Sequence, residues 1–306
     1  NDELQKLSVE LGPKVSAFAN DILLDADVFA RVSEVYKNRN SLGLGKEQMR
    51  LVDKVFRDFE RSGAGLPADK KARLRAIDDR WSQLSPKFRE NVLRSTNMFE
   101  LWLDDEKDLA GLPPTQKTAA REAAAEKGQP TRWLITLQYP SFGPFLKFAD
   151  NRGLREKVYR ASQSRAFGGE FDNQPVVQEI VSLAQEKAQL LGAKSYAHYA
   201  LQLRMAETPE QVMSFLQRLH SASFTAAQRE VKEVEALAQE LGGPSPLQQW
   251  DFSYYSEKLK EKRYAFDDES LRPYFKLENV LAGVFEHARR LFGLKFAESR
   301  EYPVYH

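Results

Sequence analysis

Cysteine is absent from this sequence of 306 residues. Its absence excludes disulfide bonds, cysteine-ligated zinc, iron–sulfur clusters and a thiol nucleophile. It leaves the compartment open, because a chain without cysteine can work in either redox environment. A metal or catalytic site would have to use other ionisable groups, so the four histidines are the first residues to test.

The sequence also lacks an excess of charge of one sign and a long apolar run. Lys and Arg total 45 against 44 for Asp and Glu, which leaves a net charge of +1. This balance provides no long-range attraction to a polyanion, so we expect no nucleic-acid partner. No apolar run approaches the roughly 20 residues needed to cross a bilayer, so we expect a soluble protein with no membrane partner.

The four histidines do not form a zinc-binding pattern. They are His198, His220, His287 and His306. A His-Glu-x-x-His helix needs two histidines four positions apart, with Glu directly after the first. No histidine here is followed by Glu, and no two are four apart. Glu286-His287 could end an inverted motif, but Gly283 stands where that motif needs its first histidine.

Motifs for other catalytic chemistries are missing as well. The sequence contains no Gly-x-Ser-x-Gly elbow and no P-loop. Adjacent carboxylates occur at Asp78-Asp79, Asp104-Asp105 and Asp267-Asp268, where we expect solvated surface. A glycosidase needs two carboxylates that face each other, which adjacency does not establish. We therefore predict no catalytic and no metal-binding residue, and the substrate-binding residues stay unknown.

Apolar residues recur at helical spacing along most of the chain, so the predicted fold class is mainly α. The predicted helical segments are 1–22, 26–39, 46–62, 67–101, 115–127, a short one after residue 144, 154–167, 174–191, 195–204, 208–241, 249–262 and 277–292. Asp25 and Thr208 are predicted N-caps, and Pro86 is expected to kink or interrupt its helix. The only predicted strand gives one short strand region near 133–138.

The stretch from residue 250 to 275 is rich in aromatic residues. The aromatic residues singled out in it are Trp250, Tyr254, Tyr255, Tyr264, Tyr274 and Phe275. At helical spacing we expect them to pack in the interior, with the lining of a cleft as the alternative. The basic residues at 258–263 alternate with Glu257 and Glu261, which favours a solvated helix face over a nucleic-acid-binding stripe.

A series of segments from residue 133 onward follows a family pattern. The segments are 133–137 with the turn Tyr139-Pro140-Ser141-Phe142, the helix that begins Asn151-Arg152-Gly153-Leu154-Arg155-Glu156, the junctions 190–197 and 205–212, Trp250-Asp251-Phe252-Ser253-Tyr254-Tyr255, 273–277, 280–285, 291–296 and 303–306. In this order they resemble the family of thimet oligopeptidase, oligopeptidase A and peptidyl-dipeptidase. Residues 1–110 match more loosely, and segments 273–277 and 303–306 lean toward the peptidyl-dipeptidase branch.

The resemblance implies the helical shell of a neurolysin-like zinc peptidase, two-lobed around a deep channel that admits short peptides. In that family a His-Glu-x-x-His helix and a downstream Glu hold zinc, which activates a water molecule. By family order this helix should lie beyond His306. We therefore expect an amino-terminal helical region at 1–110 and a middle helical region at 111–306 that leads to a catalytic domain absent from this chain.

Two functions stay open at this stage. The chain is either the non-catalytic part of a zinc metallopeptidase, cut inside its fold and inactive alone, or a helical peptide- or protein-binding module that has lost the catalytic domain. The aromatic and apolar ending at 302–306 favours the first. Zinc is expected in the full-length parent and not in this chain, with short peptides as partners. The expected location is the cytoplasm, with the periplasm as the alternative, and an exposed truncated surface predicts self-association.

Overall fold

The computed structural model describes residues 2–265 and 268–304. Within these residues the chain is mainly α, as predicted, with twelve α-helices, two 3-10 helices and two short strands. The helices are α1 (Asp2–Leu23), α2 (Ala26–Asn38), α3 (Lys46–Ser62), α4 (Ala68–Met98), α5 (Pro114–Glu126), α6 (Tyr139–Phe148), α7 (Arg152–Gln163), α8 (Gln174–Leu190), α9 (Tyr196–Leu201), α10 (Pro209–Glu240), α11 (Gln249–Tyr264) and α12 (Leu277–Phe292). None of these helices is long and apolar enough to cross a membrane.

Side-chain caps fix the starts of several helices where the sequence predicts them. The Asp25 carboxylate accepts a hydrogen bond from the amide of Val28 at 2.7 Å, and the Thr208 hydroxyl accepts one from the amide of Gln211 at 3.2 Å. These bonds satisfy amides that have no partner within the helix. Both predicted N-caps are therefore confirmed.

Two helices differ from the prediction around proline. Helix α4 continues through Pro86 to Met98, so Pro86 does not interrupt the helix, and the alternative of a kink stays a prediction. An interior proline costs about 3 kcal/mol, but α4 packs against α1 on one side and α8 on the other, which offsets that cost. Helix α6 begins at Tyr139, before Pro144 rather than after it, because Pro140 occupies its first turn.

The strand prediction is confirmed in place but incomplete. Strand β2 (Trp133–Ile135) pairs antiparallel with β1 (Leu101–Leu103), with Leu101 opposite Ile135. The sequence does not predict β1, and the predicted fourth helix runs up to its first residue. A three-residue strand has too few residues to show an alternating pattern.

Three clusters of buried side chains hold the helices together. The largest surrounds the small sheet and includes Leu103, Leu109, Ile135, Phe145 and Val158. The second joins α4 to α8, and the third joins α10 to α11. The division of the chain at residue 110 stays a prediction.

In the turn before α5, the backbone of Gly111 lies close to the backbone at the end of α6. This residue has φ +84°, in the left-handed region that favours glycine. A Cβ atom built on it would lie 2.1 Å from the carbonyl oxygen of Phe148. The amide of Asp150 donates to the carbonyl of Ala110 at 2.9 Å, so the turn and the end of α6 are locked together.

Candidate functional site

The structure places the histidines in separate chemical settings. Nδ1 of His198 lies 2.8 Å from the Ser195 hydroxyl, and its Nε2 lies 3.3 Å from Glu210. His220 stacks on Phe224, and His287 lies on α12. His306 and Asp267 lie outside the described residues, as does the side chain of Asp268. Among the residues that the structure describes, no group of three or more His, Asp or Glu side chains could hold a metal ion.

A buried arginine–aspartate cluster lies between α7 and α11. Asp251, which is fully buried, accepts from Nε and Nη2 of Arg152 at 2.9 and 2.8 Å and from Nη2 of Arg155 at 3.1 Å. Arg155 is 1% exposed. A buried guanidinium needs both a counter-charge and acceptors for its donors.

Backbone carbonyls supply those acceptors. Arg155 donates to the carbonyl oxygens of Ala149 at 2.8 Å, Asp150 at 3.1 Å and Trp250 at 3.2 Å. Its guanidinium carbon also lies 4.0 Å from the centre of the Tyr254 ring. One side chain therefore ties the end of α6, the start of α7 and the start of α11 together.

The electrostatics of the cluster keep Asp251 ionised. Burial by itself would raise the pKa of this carboxyl, but hydrogen bonds from Arg152, from the Gln248 amide and from Arg155 outweigh it and hold the pKa below its ordinary value. The Gln248 amide contact also caps α11, so the carboxylate sits at the positive end of that helix.

Acid should weaken the fold through this group. Because the folded-state pKa of Asp251 is depressed, its contribution is present above the ordinary value of about 3.9 and is lost as pH falls through the folded-state pKa. Arg152→Met removes the strongest of the contacts that lower the pKa, so the free energy of unfolding should fall less steeply below about pH 4. Denaturant unfolding from neutral pH downward measures this slope. Arg132→Met, at the exposed pair with Asp104, is the control, and equal slopes for both variants and the parent would contradict the assignment.

Two further links join α6 and α11. The Tyr254 hydroxyl donates to Asp150 at 2.7 Å, and burial together with this bond raises the pKa of the phenol. Glu257, only 7% exposed, pairs with Lys147 at 2.9 Å. Both groups are engaged in contacts between neighbouring segments, so we assign them a role in positioning the helices.

The aromatic stretch divides into two parts. Trp250 and Tyr255 are buried and Tyr254 is half-buried against the cluster that includes Tyr255, which confirms interior packing for this part. Tyr264, Tyr274 and Phe275 are exposed, so interior packing is wrong for these three. Lys262 and Arg263, in the basic run just before Tyr264, are exposed as the predicted solvated face requires, and they pair with Glu240 and Glu233 of α10. Asp78 departs from the expected solvated surface, since it is 18% exposed and pairs with Lys187 at 2.5 Å.

Helix α12 carries a continuous apolar face that nothing in the described residues buries. The face, named here the α12 face, consists of Leu277, Val280, Leu281, Val284, Phe285, Leu291 and Phe292. No residue of α12 is buried. With Tyr274 and Phe275, part of this face lines a groove of about 610 Å³. Helix α10 adds exposed apolar residues at Met213, Phe215, Leu216, Leu219 and Phe224. Exposed apolar surface on this scale marks an interaction site.

The three residues of the buried arginine–aspartate cluster lie in segments that carry the family resemblance. The sequence pattern nevertheless predicts no structural role for them. Arg152 and Arg155 stand three apart on one helical face, and Asp251 stands three positions after the N-cap of its own helix. That pattern indicates an acidic side chain at a helix start. It does not reveal that residues about a hundred positions away in sequence supply the arginines.

The comparisons with known proteins agree with the family pattern. Residues 145–306 match the family described as Peptidase family M3. The chain is 37% identical to a dipeptidyl carboxypeptidase of Salmonella typhimurium, with all of the chain and 45% of that protein covered. It is 40% identical to oligopeptidase A of the same organism, with 86% of the chain and 39% of that protein covered. A probable cytosolic oligopeptidase A of Arabidopsis thaliana is 35% identical, with 95% and 43% covered. The chain thus spans less than half the length of these relatives.

Proposed function

The chain belongs to peptidase family M3, and from this premise we propose that it is the non-catalytic part of a zinc metallopeptidase that hydrolyses short peptides. One observation carries the proposal. The whole chain matches a dipeptidyl carboxypeptidase at 37% identity but covers only 45% of it. No His-Glu-x-x-His pattern occurs in the chain. The catalytic residues are therefore assigned to a part of the parent protein outside this sequence.

The residues that the structure describes do not form a zinc site. A catalytic zinc needs three protein ligands, usually histidines and a carboxylate that converge on one point. Of the described histidines, His198 is engaged with Ser195 and Glu210, and His220 stacks on Phe224. We therefore assign no metal ligand to this chain and derive no catalytic step from it.

The role proposed for this chain is to enclose the substrate and to support the catalytic region. The α12 face and the exposed apolar residues of α10 would pack against that region, which accounts for apolar side chains left open to solvent. The arginine–aspartate cluster would hold α11, which packs on α10, against α6 and α7. A rigid helical wall keeps folded proteins out and positions a short peptide.

The test is the natural coding sequence beyond the codon for His306. We expect a His-Glu-x-x-His motif with a further Glu downstream, because these supply the zinc ligands and the general base. A continuation without this motif would contradict the peptidase assignment.

A second candidate is a helical module that binds peptides or proteins without cleaving them. The groove of about 610 Å³ on α12 favours it, since its volume lies within the ~300–1,000 Å³ typical of ligand sites. The two functions differ in the natural sequence beyond His306 and in whether the longer polypeptide binds zinc. Only the peptidase predicts both the motif and the metal.

The chain by itself should self-associate through the α12 face. Phe292 is 73% exposed and lies on that face, so Phe292→Glu should lower the average mass in solution toward that of a monomer. Leu51→Glu, at a residue that is 60% exposed on α3, is the matched control and should leave the mass unchanged. Light scattering over a range of concentrations measures both. A parent chain that stays monomeric throughout would contradict the prediction.

The proposed location is the cytoplasm. One relative is named as cytosolic and another as organellar, chloroplastic or mitochondrial. Fractionation of the source cells and detection of the protein in each fraction tests this, and recovery in a periplasmic or organellar fraction would contradict it.

A further inference from the structure

A second pocket lies far along the chain from the α12 face, between α1, α4, α8 and α9. Its volume is about 370 Å³, at the lower end of the ~300–1,000 Å³ range for small-molecule sites. Its walls include Asn20 from α1, Asp78 and Trp81 from α4, Lys187 from α8, and Tyr196 and Tyr199 from α9. The proposed function does not use this pocket.

Asn20 is an unpartnered polar side chain on the wall of the pocket. It is 9% exposed and therefore more than nine-tenths buried. Among the described residues no hydrogen bond reaches its side-chain amide, although its backbone carbonyl accepts from Leu24. Its amide atoms are not buried from solvent, since among the described residues Trp250 Nε1 is the only buried side-chain atom without a partner, so the amide faces the pocket with its donors and its acceptor open to a ligand.

An ion pair in the same pocket has hydrogen-bond donors and an acceptor that are not used within the pair. The side chains of Lys187 and Asp78 are about four-fifths buried, and Nζ of Lys187 lies 2.5 Å from Oδ1 of Asp78. The ammonium group has three donors and uses one of them on Asp78, while the second oxygen of Asp78 has no partner among the described residues. The Lys187 ammonium can therefore donate to a ligand while the neighbouring Asp78 carboxylate accepts from the same ligand.

The balance of these charges selects the class of ligand. Asp78 would repel a phosphate or another multiply charged anion, and Lys187 would repel a metal cation. A zwitterion whose ammonium and carboxylate share one carbon can meet both groups and leave no buried charge uncompensated. The Asn20 amide can donate to the carboxylate or accept from the ammonium of the same ligand.

The aromatic side chains define the rest of the ligand. The ring centres of Trp81 and Tyr196 are 5.5 Å apart, and those of Tyr196 and Tyr199 are 5.9 Å apart. Such a wall favours an aromatic or apolar group. We propose that this pocket binds a free α-amino acid with an aromatic side chain, held by Asn20, Asp78 and Lys187 at its charged end and by Trp81, Tyr196 and Tyr199 at its apolar end.

The experiment is a titration of the chain with L-phenylalanine, monitored by tryptophan fluorescence and by calorimetry. We expect saturable binding at a single site. Phenethylamine lacks the carboxylate and 3-phenylpropionate lacks the ammonium, so each should bind at least about tenfold more weakly, as expected for the loss of a charged hydrogen bond. Trp81→Phe should remove the fluorescence change.

Substitutions test the named contacts. Asn20→Ala and Lys187→Met should each weaken binding about tenfold. Arg73→Met is the matched control, because it removes the exposed pair with Glu186 between the same two helices without touching the pocket, and it should bind as the parent does. If Lys187→Met does not fold, Asn20→Ala decides. No saturable change up to about 10 mM phenylalanine, equal binding of the two single-charge analogues, or unchanged binding by Asn20→Ala would overturn the proposal.

Discussion

Asp251→Asn is expected to lower the free energy of unfolding by about 3–5 kcal/mol, the range observed when one partner of a buried ion pair is removed. Arg155 is 1% exposed, so water cannot solvate its guanidinium group when the carboxylate of Asp251 is removed. The amide of asparagine also replaces one acceptor oxygen with a donor that faces two guanidinium groups. Denaturant unfolding monitored by circular dichroism measures the change.

The matched control for this substitution is Asp104→Asn. Asp104 also accepts two hydrogen bonds from one arginine, Arg132, at 2.5 and 2.9 Å. Its side chain is 71% exposed, so the loss should be no more than about 1 kcal/mol, as for exposed pairs. Similar losses for Asp251→Asn and Asp104→Asn would show that the buried cluster does not hold α11 in place.

Gly111→Ala is expected to be the second most damaging change, with a loss of more than about 3 kcal/mol. The left-handed backbone by itself costs a non-glycine residue about 1–2 kcal/mol. The added Cβ would also lie 2.1 Å from the Phe148 carbonyl oxygen, which is backbone and cannot rotate away. The end of α6 would have to shift, and with it the Ala149 and Asp150 carbonyls that receive Arg155.

Gly128→Ala separates the two causes. Gly128 has φ +77°, but a Cβ atom there would meet nothing within 4 Å. It should therefore lose only the backbone cost of about 1–2 kcal/mol. Thermal or denaturant unfolding of both variants gives the comparison. Equal losses in the free energy of unfolding would mean that the turn at Gly111 can shift to accept a Cβ atom and that its contact with the end of α6 adds little stability.

Local signals in the sequence predict most of the helices. The start of α2 is set by Asp25, and the start of α10 is set by Thr208, because a cap needs only its own helix. The bounds of α12 agree with the prediction at both ends, since its apolar residues recur every three or four positions. Pro86 does not end α4, because the packing of α4 against α1 and α8 outweighs a local penalty.

The burial of single residues could not be predicted from local pattern. Arg155 is buried because three carbonyls and Asp251 converge on it, and Asp251 is 96 positions away. The α12 face has the spacing of a core helix, yet it stays exposed in the described residues. Periodicity shows that a face is apolar, but it does not show whether this chain or another polypeptide covers it.

The most direct measurement is the zinc content and peptidase activity of the polypeptide that includes the natural sequence beyond His306. We expect about one zinc ion per molecule. We also expect cleavage of a short quenched-fluorescence peptide that is lost with a chelator and restored by zinc. A folded longer polypeptide that binds no zinc and cleaves no peptide would contradict the assignment as part of a zinc metallopeptidase and would favour a binding module.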